Sequence, residues 1–165
     1  MTTPDSIPPG SRTAAVIRGH GIDLIDVTRI GRMVREHAAR FVLKTYTPEE
    51  LRTCLSEELA SLLLGTDAAD SPDAAAALAG LSDRSIRRLA SRFAAKEATF
   101  KALGTGLVQG MTWHDAAVLS LSSGQPVLAV TGGAAETARR LGITRWHISL
   151  TDTDQWAMAS VIAEG

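Results

Sequence analysis

One stretch limits the possible folds more than any other. Residues 92–106 read Arg-Phe-Ala-Ala-Lys-Glu-Ala-Thr-Phe-Lys-Ala-Leu-Gly-Thr-Gly, a pattern that predicts an amphipathic helix with a glycine stop. The alanines are strong helix formers, and their small side chains let neighbouring elements come close. Gly104 suits the left-handed position that follows many helices. The apolar stripe at near-helical spacing consists of Leu89, Phe93, Phe100 and Leu103. The stretch therefore predicts a long helix packed into the core and ending near Gly104.

The same helix carries an unusual group of charges. Glu97 and Lys101 are i,i+4 neighbours on one face, and Arg92 and Lys96 lie close by in the sequence. One interpretation is a solvated helix face with ordinary, weak ion pairs. The other is a binding site, and the helix alone does not decide between them.

Length and composition narrow the class of protein. A chain of 165 residues is typical of one domain. Its 17 basic and 18 acidic residues nearly cancel, which gives no support for binding to nucleic acid or to a membrane surface. The single cysteine, Cys54, excludes an internal disulfide and a cysteine-based metal cluster, and we expect it to be buried.

The amino terminus reads differently from the rest. Residues 1–12 are rich in Pro, Ser and Thr and lack the charged start and apolar region of a signal peptide. We expect a disordered leader at 1–12, a single domain at 13–165 and a cytoplasmic location. No apolar run is long enough to cross a bilayer.

The first half of the domain predicts a strand and two helices before the central one. The strand is expected at 14–23, where Gly19 and Gly21 indicate a bulge or a close backbone approach. The first helix is expected at 27–40. Thr47 and Glu50 flank Pro48 as a capping box, which predicts a second helix that continues to Leu64.

The second half predicts mainly strands. The segment at about 65–80 is rich in Ala, Asp and Ser, which indicates a surface insertion with one helical turn, and Ser82 then caps the central helix. The later elements are expected as strands at 113–121, 125–131, 145–150 and 155–163, with a helix at 134–141. Early helices and late antiparallel strands indicate an α+β fold, with helices packed on one face of an antiparallel sheet.

Two carboxylates on different elements suggest chemistry. Asp23 directly follows the glycine-containing residues 19–22 at the end of the predicted strand, where it could also be a loop residue or the N-cap of the next helix. Glu97 sits in mid-helix with apolar neighbours. Together with a lysine, two such carboxylates would suit a site for Mg²⁺ and a phosphate, because Mg²⁺ takes one or two protein carboxylates and fills its other positions with water and phosphate oxygens. The spacing alone does not show that Asp23 and Glu97 meet.

Five segments in order resemble one known family. Residues 19–30 look like the opening motif of the holo-acyl-carrier-protein synthases, the small type of 4′-phosphopantetheinyl transferase. Residues 41–51 resemble the next segment, 92–106 match the family signature almost letter for letter, and 124–127 and 147–151 match the carboxy-terminal half. In an unrelated α+β domain, all five segments would have to match the family by chance and in the same order. The resemblance implies the 4′-phosphopantetheinyl transferase-like fold.

The resemblance also implies a reaction. The family transfers the 4′-phosphopantetheine arm of coenzyme A to a serine of an acyl carrier protein of fatty acid or polyketide synthesis, and it works as a homotrimer. Carried over, Asp23 and Glu97 become the ligands of Mg²⁺, for which Mn²⁺ could substitute. Glu97, directly or through a metal-bound water, would accept the serine proton. Lys101 would contact the phosphates and stabilise or protonate the leaving group. The catalytic residues implied are thus Asp23, Glu97 and Lys101.

Other matched positions concern the donor and the carrier protein. Arg29 matches a basic position that meets the acidic carrier protein, although a solvated arginine is an alternative. At coenzyme A, besides Lys101, the resemblance places Arg92, Gly104, Gln125, Pro126, Thr151 and Asp152. The family builds its adenine and 3′-phosphate pocket across two subunits.

Two positions depart from the family pattern. Asp152 stands where a histidine is usual, and Gln125 where a basic residue is usual, both near the 3′-phosphate. An added anion beside a phosphate predicts weaker binding of coenzyme A or unusual tolerance of dephospho-coenzyme A. Alternatively, Asp152 turns outward and Arg92 or Arg145 compensates its charge. A catalytically weakened homologue that only binds carrier protein remains the second functional hypothesis.

Overall fold

The structure, a computed structural model, describes residues 15–108 and 110–165, so the expected leader at 1–12 lies outside the described residues. The helices and strands in chain order are β1 (Ile17–Asp26), α1 (Val27–Thr45), α2 (Pro48–Cys54), α3 (Glu57–Leu63), α4 (Pro72–Ala79), α5 (Asp83–Ala102), β2 (Ala116–Ser120), β3 (Pro126–Val130), α6 (Gly132–Arg140), β4 (Arg145–Asp152) and β5 (Trp156–Glu164). The predicted α+β class, with helices on an antiparallel sheet, is confirmed. Within the described ranges, no helix is both long enough and apolar enough to cross a membrane.

The strands form two antiparallel groups. β5 lies between β1 and β4 in a three-stranded sheet, and β2 pairs with β3 in a separate hairpin. On β5, every second residue from Ala157 to Ala163 is buried, which is the period of a strand with one face on the core. These residues are three alanines and one valine, whose small side chains allow α5 to lie close to the sheet.

Two glycines of β1 allow the strand to approach α5 closely. A Cβ on Gly19 would lie 2.0 Å from the carbonyl oxygen of Ala102, and a Cβ on Gly21 would lie 1.9 Å from that of Ala98. No side chain fits at either position, so backbone of β1 packs directly on backbone of α5. The predicted close approach is confirmed, and the register shift between Ile17 and Gly19 shows that a bulge occurs as well.

Helix α5 begins and ends where the sequence predicts. The Ser82 hydroxyl accepts a hydrogen bond from the Ser85 amide at 3.2 Å, and Asp83 adds a negative charge to the first turn, where it offsets the positive end of the helix dipole. At the other end Gly104 has φ +73°, which glycine adopts without strain. Leu89, Phe93 and Phe100 are buried, as the apolar stripe predicts.

Helix α1 differs from its prediction in two respects. It extends to Thr45 rather than ending near residue 40, and it is kinked at Ala38, where φ is 43° and ψ is −135°. Its N-cap is Asp26, whose carboxylate accepts hydrogen bonds from the Thr28 amide and hydroxyl, both at 2.7 Å. The N-cap interpretation of Asp23 is therefore wrong, because that role belongs to Asp26.

The helix expected from Thr47 to Leu64 is two helices. The capping box of Thr47 and Glu50 is present at the start of α2, but the chain becomes extended at Leu55 and Ser56 caps α3. Cys54 is buried, as predicted.

The segment at about 65–80 contains more structure than one turn. Helix α4 forms its second half, and Ala74 and Leu78 are buried in the main core. An ion pair between Arg40 and Asp70 ties the segment to α1. The polar, alanine-rich composition of the segment therefore does not reveal that it contains a helix with one buried face. Only part of the segment is exposed to solvent.

The predicted strand boundaries are shifted. β1 begins three residues later than predicted and continues to Asp26, so Asp23 lies inside the strand rather than at its end. β2 is shorter than the predicted 113–121, because residues 113–115 form a short 3₁₀ turn. β4 extends to Asp152.

Candidate active site

Asp23 and Lys101 meet across the contact between β1 and α5. The Lys101 ammonium donates to Asp23 Oδ1 at 2.8 Å and to the carbonyl oxygen of Ile22 at 3.1 Å. The Asp23 side chain is 14% exposed and that of Lys101 is 50% exposed. The ion pair therefore sits at the edge of the core, where solvent and a substrate can reach the lysine.

Glu97 lies one turn before Lys101 and belongs to the same group. Partial burial raises the pKa of its carboxyl group, the nearby Asp23 charge raises it further, and Lys101 and Arg29 oppose the rise. No hydrogen bond to the Glu97 carboxylate is found among residues 15–108 and 110–165. The two carboxylates, one on β1 and one on α5, thus lie close together, and among the described residues the Glu97 carboxylate accepts no hydrogen bond.

This donor set fits a hard divalent cation. Asp23 and Glu97 supply carboxylate oxygens from two elements, and Lys101 supplies a positive charge beside them. In the described part of the chain there is no group of three or more His, Cys, Asp or Glu side chains suited to a metal ion. A pair of carboxylates is what Mg²⁺ commonly accepts from a protein when phosphate oxygens complete its coordination.

Arg29 projects from the first turn of α1 at this site. Its side chain is exposed, and its charge acts on the pKa of Glu97. The structure therefore places the residue expected at the carrier protein close to the carboxylates as well. The first turn of α1 contains no acidic residue to neutralise it.

Lys96 takes a different direction from its neighbour Glu97. Its side chain is fully buried, and its ammonium pairs with Glu50 Oε2 at 2.7 Å and donates to the carbonyl oxygens of Trp113 and Ala116. Glu50 also accepts from the Thr47 and Val118 amides. Lys96 is thus structural. Sequence reasoning grouped it with the surface charges and missed this pair, although the capping box had already identified Glu50.

Arg92 lies on another side of α5 from Glu97. A separation of five residues turns it by about 140° around a regular helix. Among the described residues, its Nε is the only buried side-chain nitrogen or oxygen without a hydrogen-bond partner. Within one chain, the structure therefore does not bring Arg92 together with Asp23, Glu97 and Lys101.

Gln125 and Pro126 line a separate groove. This groove of about 400 Å³ runs between β3 and β4 and includes Arg145 and His147. Both of these basic residues contact Glu164, at 3.0 and 3.1 Å. The carboxylates Asp23 and Glu97 do not line it, so the residues matched to coenzyme A fall into separate parts of a single chain.

Asp152 points toward α5 rather than outward. Ser91 donates to its Oδ1 at 3.3 Å, and Arg87 Nε lies 3.6 Å from its Oδ2. Arg87 also pairs with Asp154 at 2.8 Å. The expected compensation by Arg92 or Arg145 is therefore wrong, because Arg87 supplies the charge.

The two remaining positions are exposed. Thr151 is next to Asp152 on β4, and since side chains alternate along a strand it faces away from α5. Gly104 follows α5 three residues after Lys101, with open space around its α-carbon. Neither residue touches the carboxylate pair.

Comparison with known proteins gives one consistent family. Residues 19–160 match the 4′-phosphopantetheinyl transferase superfamily. The chain is 38% identical to the holo-[acyl-carrier-protein] synthase of Koribacter versatilis over 149 residues, which cover 90% of this chain and 99% of the relative.

Solved structures agree with this result. The holo-[acyl-carrier-protein] synthase of Neisseria meningitidis superposes with a TM-score of 0.67 at 27% identity, over 91% of this chain and 100% of that one. The enzyme of Bacillus anthracis, solved in complex with CoA (3′,5′-ADP), gives 0.61 at 26% identity, over 90% and 96%. The chain therefore belongs to the 4′-phosphopantetheinyl transferase superfamily, in its holo-[acyl-carrier-protein] synthase family.

Proposed function

We propose that this protein transfers 4′-phosphopantetheine from coenzyme A to a serine of an apo-acyl carrier protein and releases 3′,5′-ADP. The observation that carries the proposal is the group formed by Asp23, Glu97 and Lys101, in which two carboxylates and one ammonium converge at an accessible edge of the core. The family and the coenzyme A complex of the Bacillus anthracis relative support the choice of donor.

Each side chain has a role in that reaction. The serine oxygen attacks the β-phosphorus of the donor, and the bond between that phosphorus and the bridging oxygen to 3′,5′-ADP breaks. Glu97 accepts the serine proton, and its raised pKa brings the carboxylate closer to the range in which general bases work well. Lys101, held in place by Asp23 and the Ile22 carbonyl, presents its remaining N–H to the leaving phosphate.

Asp23 and Glu97 would hold Mg²⁺, or Mn²⁺ in its place. Such an ion supplies charge neutralisation for the pyrophosphate and the leaving group. In its absence the ionised Asp23 and Glu97 repel each other, which is the physical reason that the Asp23 charge raises the pKa of Glu97.

A homotrimer would bring the separate parts of the donor site together. In one chain the carboxylates, Arg92 and the β3–β4 groove are apart, so a complete site needs the groove of a second copy. The outer face of the three-stranded sheet supports such an assembly, because Ile22, Leu24 and Trp156 are all exposed there. Contiguous exposed apolar residues on a sheet are typical of an interface.

The carrier protein would approach α1. Arg29 is an exposed cation beside Glu97, so an acidic partner that contacts it would bring its serine to the proposed base. The choice between a fatty acid and a polyketide carrier protein, and the cytoplasmic location, stay predictions. So does the alternative of a binding homologue without activity, since Asp152 and Gln125 depart from the family pattern.

A direct assay tests the function. We expect incubation with apo-carrier protein, Mg²⁺ and coenzyme A to add one phosphopantetheine arm, about 340 Da, to the carrier protein by mass spectrometry. Carrier protein that binds but gains no mass would favour the inactive homologue. Sedimentation at micromolar concentration should show a trimer, and a stable, fully active monomer would contradict the shared site.

A further inference from the structure

Arg88 and Arg92 form a pair of cations with no carboxylate partner in the part of the chain that the structure describes. They are i,i+4 neighbours on α5, so their side chains leave the helix on the same face. Within residues 15–108 and 110–165, no carboxylate lies within 4 Å of either guanidinium, whereas Arg87 next to them has two acidic partners. Like charges at this spacing repel each other and destabilise a helix.

Both side chains lie near the carboxy-terminal end of α2. Arg88 Nη1 donates to the carbonyl oxygen of Thr53 at 3.1 Å. Burial raises the pKa of the adjacent Cys54 thiol, and the positive charges of Arg92 and, to a smaller extent, Arg88 oppose that rise. Arg88 therefore contacts the carboxy-terminal end of α2, and Arg92 lies near enough for its charge to act on Cys54 there.

Most N–H donors of the two arginines form no hydrogen bond within the described residues. A guanidinium carries five N–H donors in a planar fork. Arg88 uses one of them in the described structure, and Arg92 uses none, with its Nε enclosed and unsatisfied. An enclosed N–H without an acceptor costs folding free energy, so a native structure that keeps one calls for an explanation.

We propose that Arg88 and Arg92 together bind the dianion of a phosphate group, and that Arg88 is a phosphate ligand of this protein. A dianion placed between two guanidinium groups removes their repulsion and accepts hydrogen bonds from both forks, a geometry that suits phosphate particularly well. The assignment to the donor rests on the proposed function: the phosphate is the 3′-phosphate of coenzyme A, and Arg88 extends the contact that the family resemblance gives to Arg92.

Binding measurements test this site. Inorganic phosphate, 3′,5′-ADP and adenosine are titrated by calorimetry into the wild type and into Arg88→Ala. The control is Arg139→Ala, which removes an exposed arginine of α6 far along the chain. We expect the Kd of 3′,5′-ADP and of phosphate to rise roughly tenfold or more in Arg88→Ala, the size of a lost charge-assisted hydrogen bond, and to stay unchanged in Arg139→Ala. Adenosine, which has no phosphate, should bind the wild type and Arg88→Ala alike.

A conservative variant separates binding from folding. Arg88→Lys keeps a charge and a donor for the Thr53 carbonyl but lacks the fork, so we expect wild-type unfolding and an intermediate Kd. If Arg88→Ala does not fold, Arg88→Lys takes its place in the calorimetric comparison with the wild type. Wild-type affinity for both phosphates in a folded Arg88 variant would overturn the proposal.

Two further outcomes separate the sources of the phosphate. Loss of phosphate binding with unchanged 3′,5′-ADP binding would overturn the assignment to the donor and leave free phosphate as the ligand. The transfer assay is independent of both binding measurements, with phosphate and with 3′,5′-ADP. If the wild type transfers no arm yet shows Arg88-dependent phosphate binding, the proposed function fails while the two-arginine site stands.

Discussion

Gly21 of β1 lies so close to Ala98 of α5 that a Cβ on the glycine would be 1.9 Å from the alanine carbonyl oxygen. This contact sets the distance between the strand and the helix. Asp23 is two residues further along β1, on the same face of the strand, and Glu97 and Lys101 flank Ala98 on α5. The glycine thus determines whether the two carboxylates can share a site.

The first prediction concerns this contact. Gly21→Ala must push β1 away from α5, and we expect it to lower the free energy of unfolding by about 1–3 kcal/mol, as overpacking usually does. Transfer should fall more than stability explains, because Asp23 moves relative to Glu97. Gly80→Ala is the matched control, since its Cβ would meet only ordinary contacts of 3.7 Å or more. Urea unfolding and transfer assays measure both effects, and wild-type activity in Gly21→Ala would refute the link.

The second prediction concerns Glu97 as the base. We expect Glu97→Gln to lower kcat by about 100-fold or more, the usual contribution of a general base. The amide keeps the shape of the side chain, so the variant should fold normally. Mg²⁺ should raise the unfolding temperature of the wild type but not of Glu97→Gln, because the ion stabilises only a folded state that binds it. Retained activity would remove Glu97 from the mechanism.

The same variant has a predictable pH dependence. Burial, followed by the Asp23 charge, raises the pKa of Glu97 above its ordinary value of 4.5, so the folded state binds this proton more tightly than the unfolded state. The stabilisation is complete below about pH 4.5 and is lost as the pH rises through the folded pKa. Glu97→Gln should therefore be more stable than the wild type at neutral pH without metal, and the difference should vanish in acid. Melting curves across pH that show the opposite order would refute this account.

Local patterns in the sequence predicted what is local in the structure. The caps at Ser82 and Thr47 and the glycine at 104 depend on bonds within a few residues, and all are found. The meeting of Asp23 with Lys101, 78 residues later, depends on how β1 crosses α5, which no periodicity encodes. The resemblance to a family assigned both residues to one site, but it did not predict the ion pair between them.

The predictions that were wrong or incomplete also concern contacts between residues far apart in the sequence, or segments with weak patterns. Lys96 sits among surface charges in the sequence, yet its partner Glu50 comes from another helix. Arg87 pairs with Asp152 between α5 and β4, and because Arg87 lies outside the family motifs, those motifs do not predict the pair. The sequence pattern indicates only one turn of helix α4, because an alanine-rich segment has little difference in hydrophobicity between its faces.

The third prediction concerns the buried pair of Lys96 and Glu50. Lys96→Met leaves Glu50 enclosed without its cation, and we expect a loss of roughly 3–5 kcal/mol in the free energy of unfolding, as for other broken buried pairs. Lys44→Met is the control, because Lys44 is exposed on α1 and its replacement should change stability by about 0.5 kcal/mol or less. Chemical denaturation compares them. Equal stability of the two variants would show that the pair contributes nothing.

The fourth prediction concerns the kink of α1. Ala38 has φ 43° and ψ −135°, a conformation that is costly for any residue with a Cβ and easy for glycine. We expect Ala38→Gly to raise the free energy of unfolding by about 1 kcal/mol, since relief of this strain outweighs the extra freedom of glycine in the unfolded chain. Ala39→Gly, in the buried helical position next to it, should instead destabilise the protein. Thermal unfolding that shows the same sign for both would contradict the assigned backbone.

The fifth prediction concerns donor selectivity at Asp152. Arg87 and Ser91 hold this carboxylate toward α5, so Arg87 offsets the anion that replaces the histidine usual in the family. Arg87→Ala should raise the KM for coenzyme A by roughly 2–10-fold, the range expected for one partly exposed charge, while the KM for dephospho-coenzyme A stays nearly constant. Adding Asp152→Asn to Arg87→Ala should restore the wild-type ratio, because both members of the pair are then neutral. If Arg87→Ala changes the KM of the two donors equally, Asp152 does not face the 3′-phosphate, and its departure from the family pattern has no consequence for the donor.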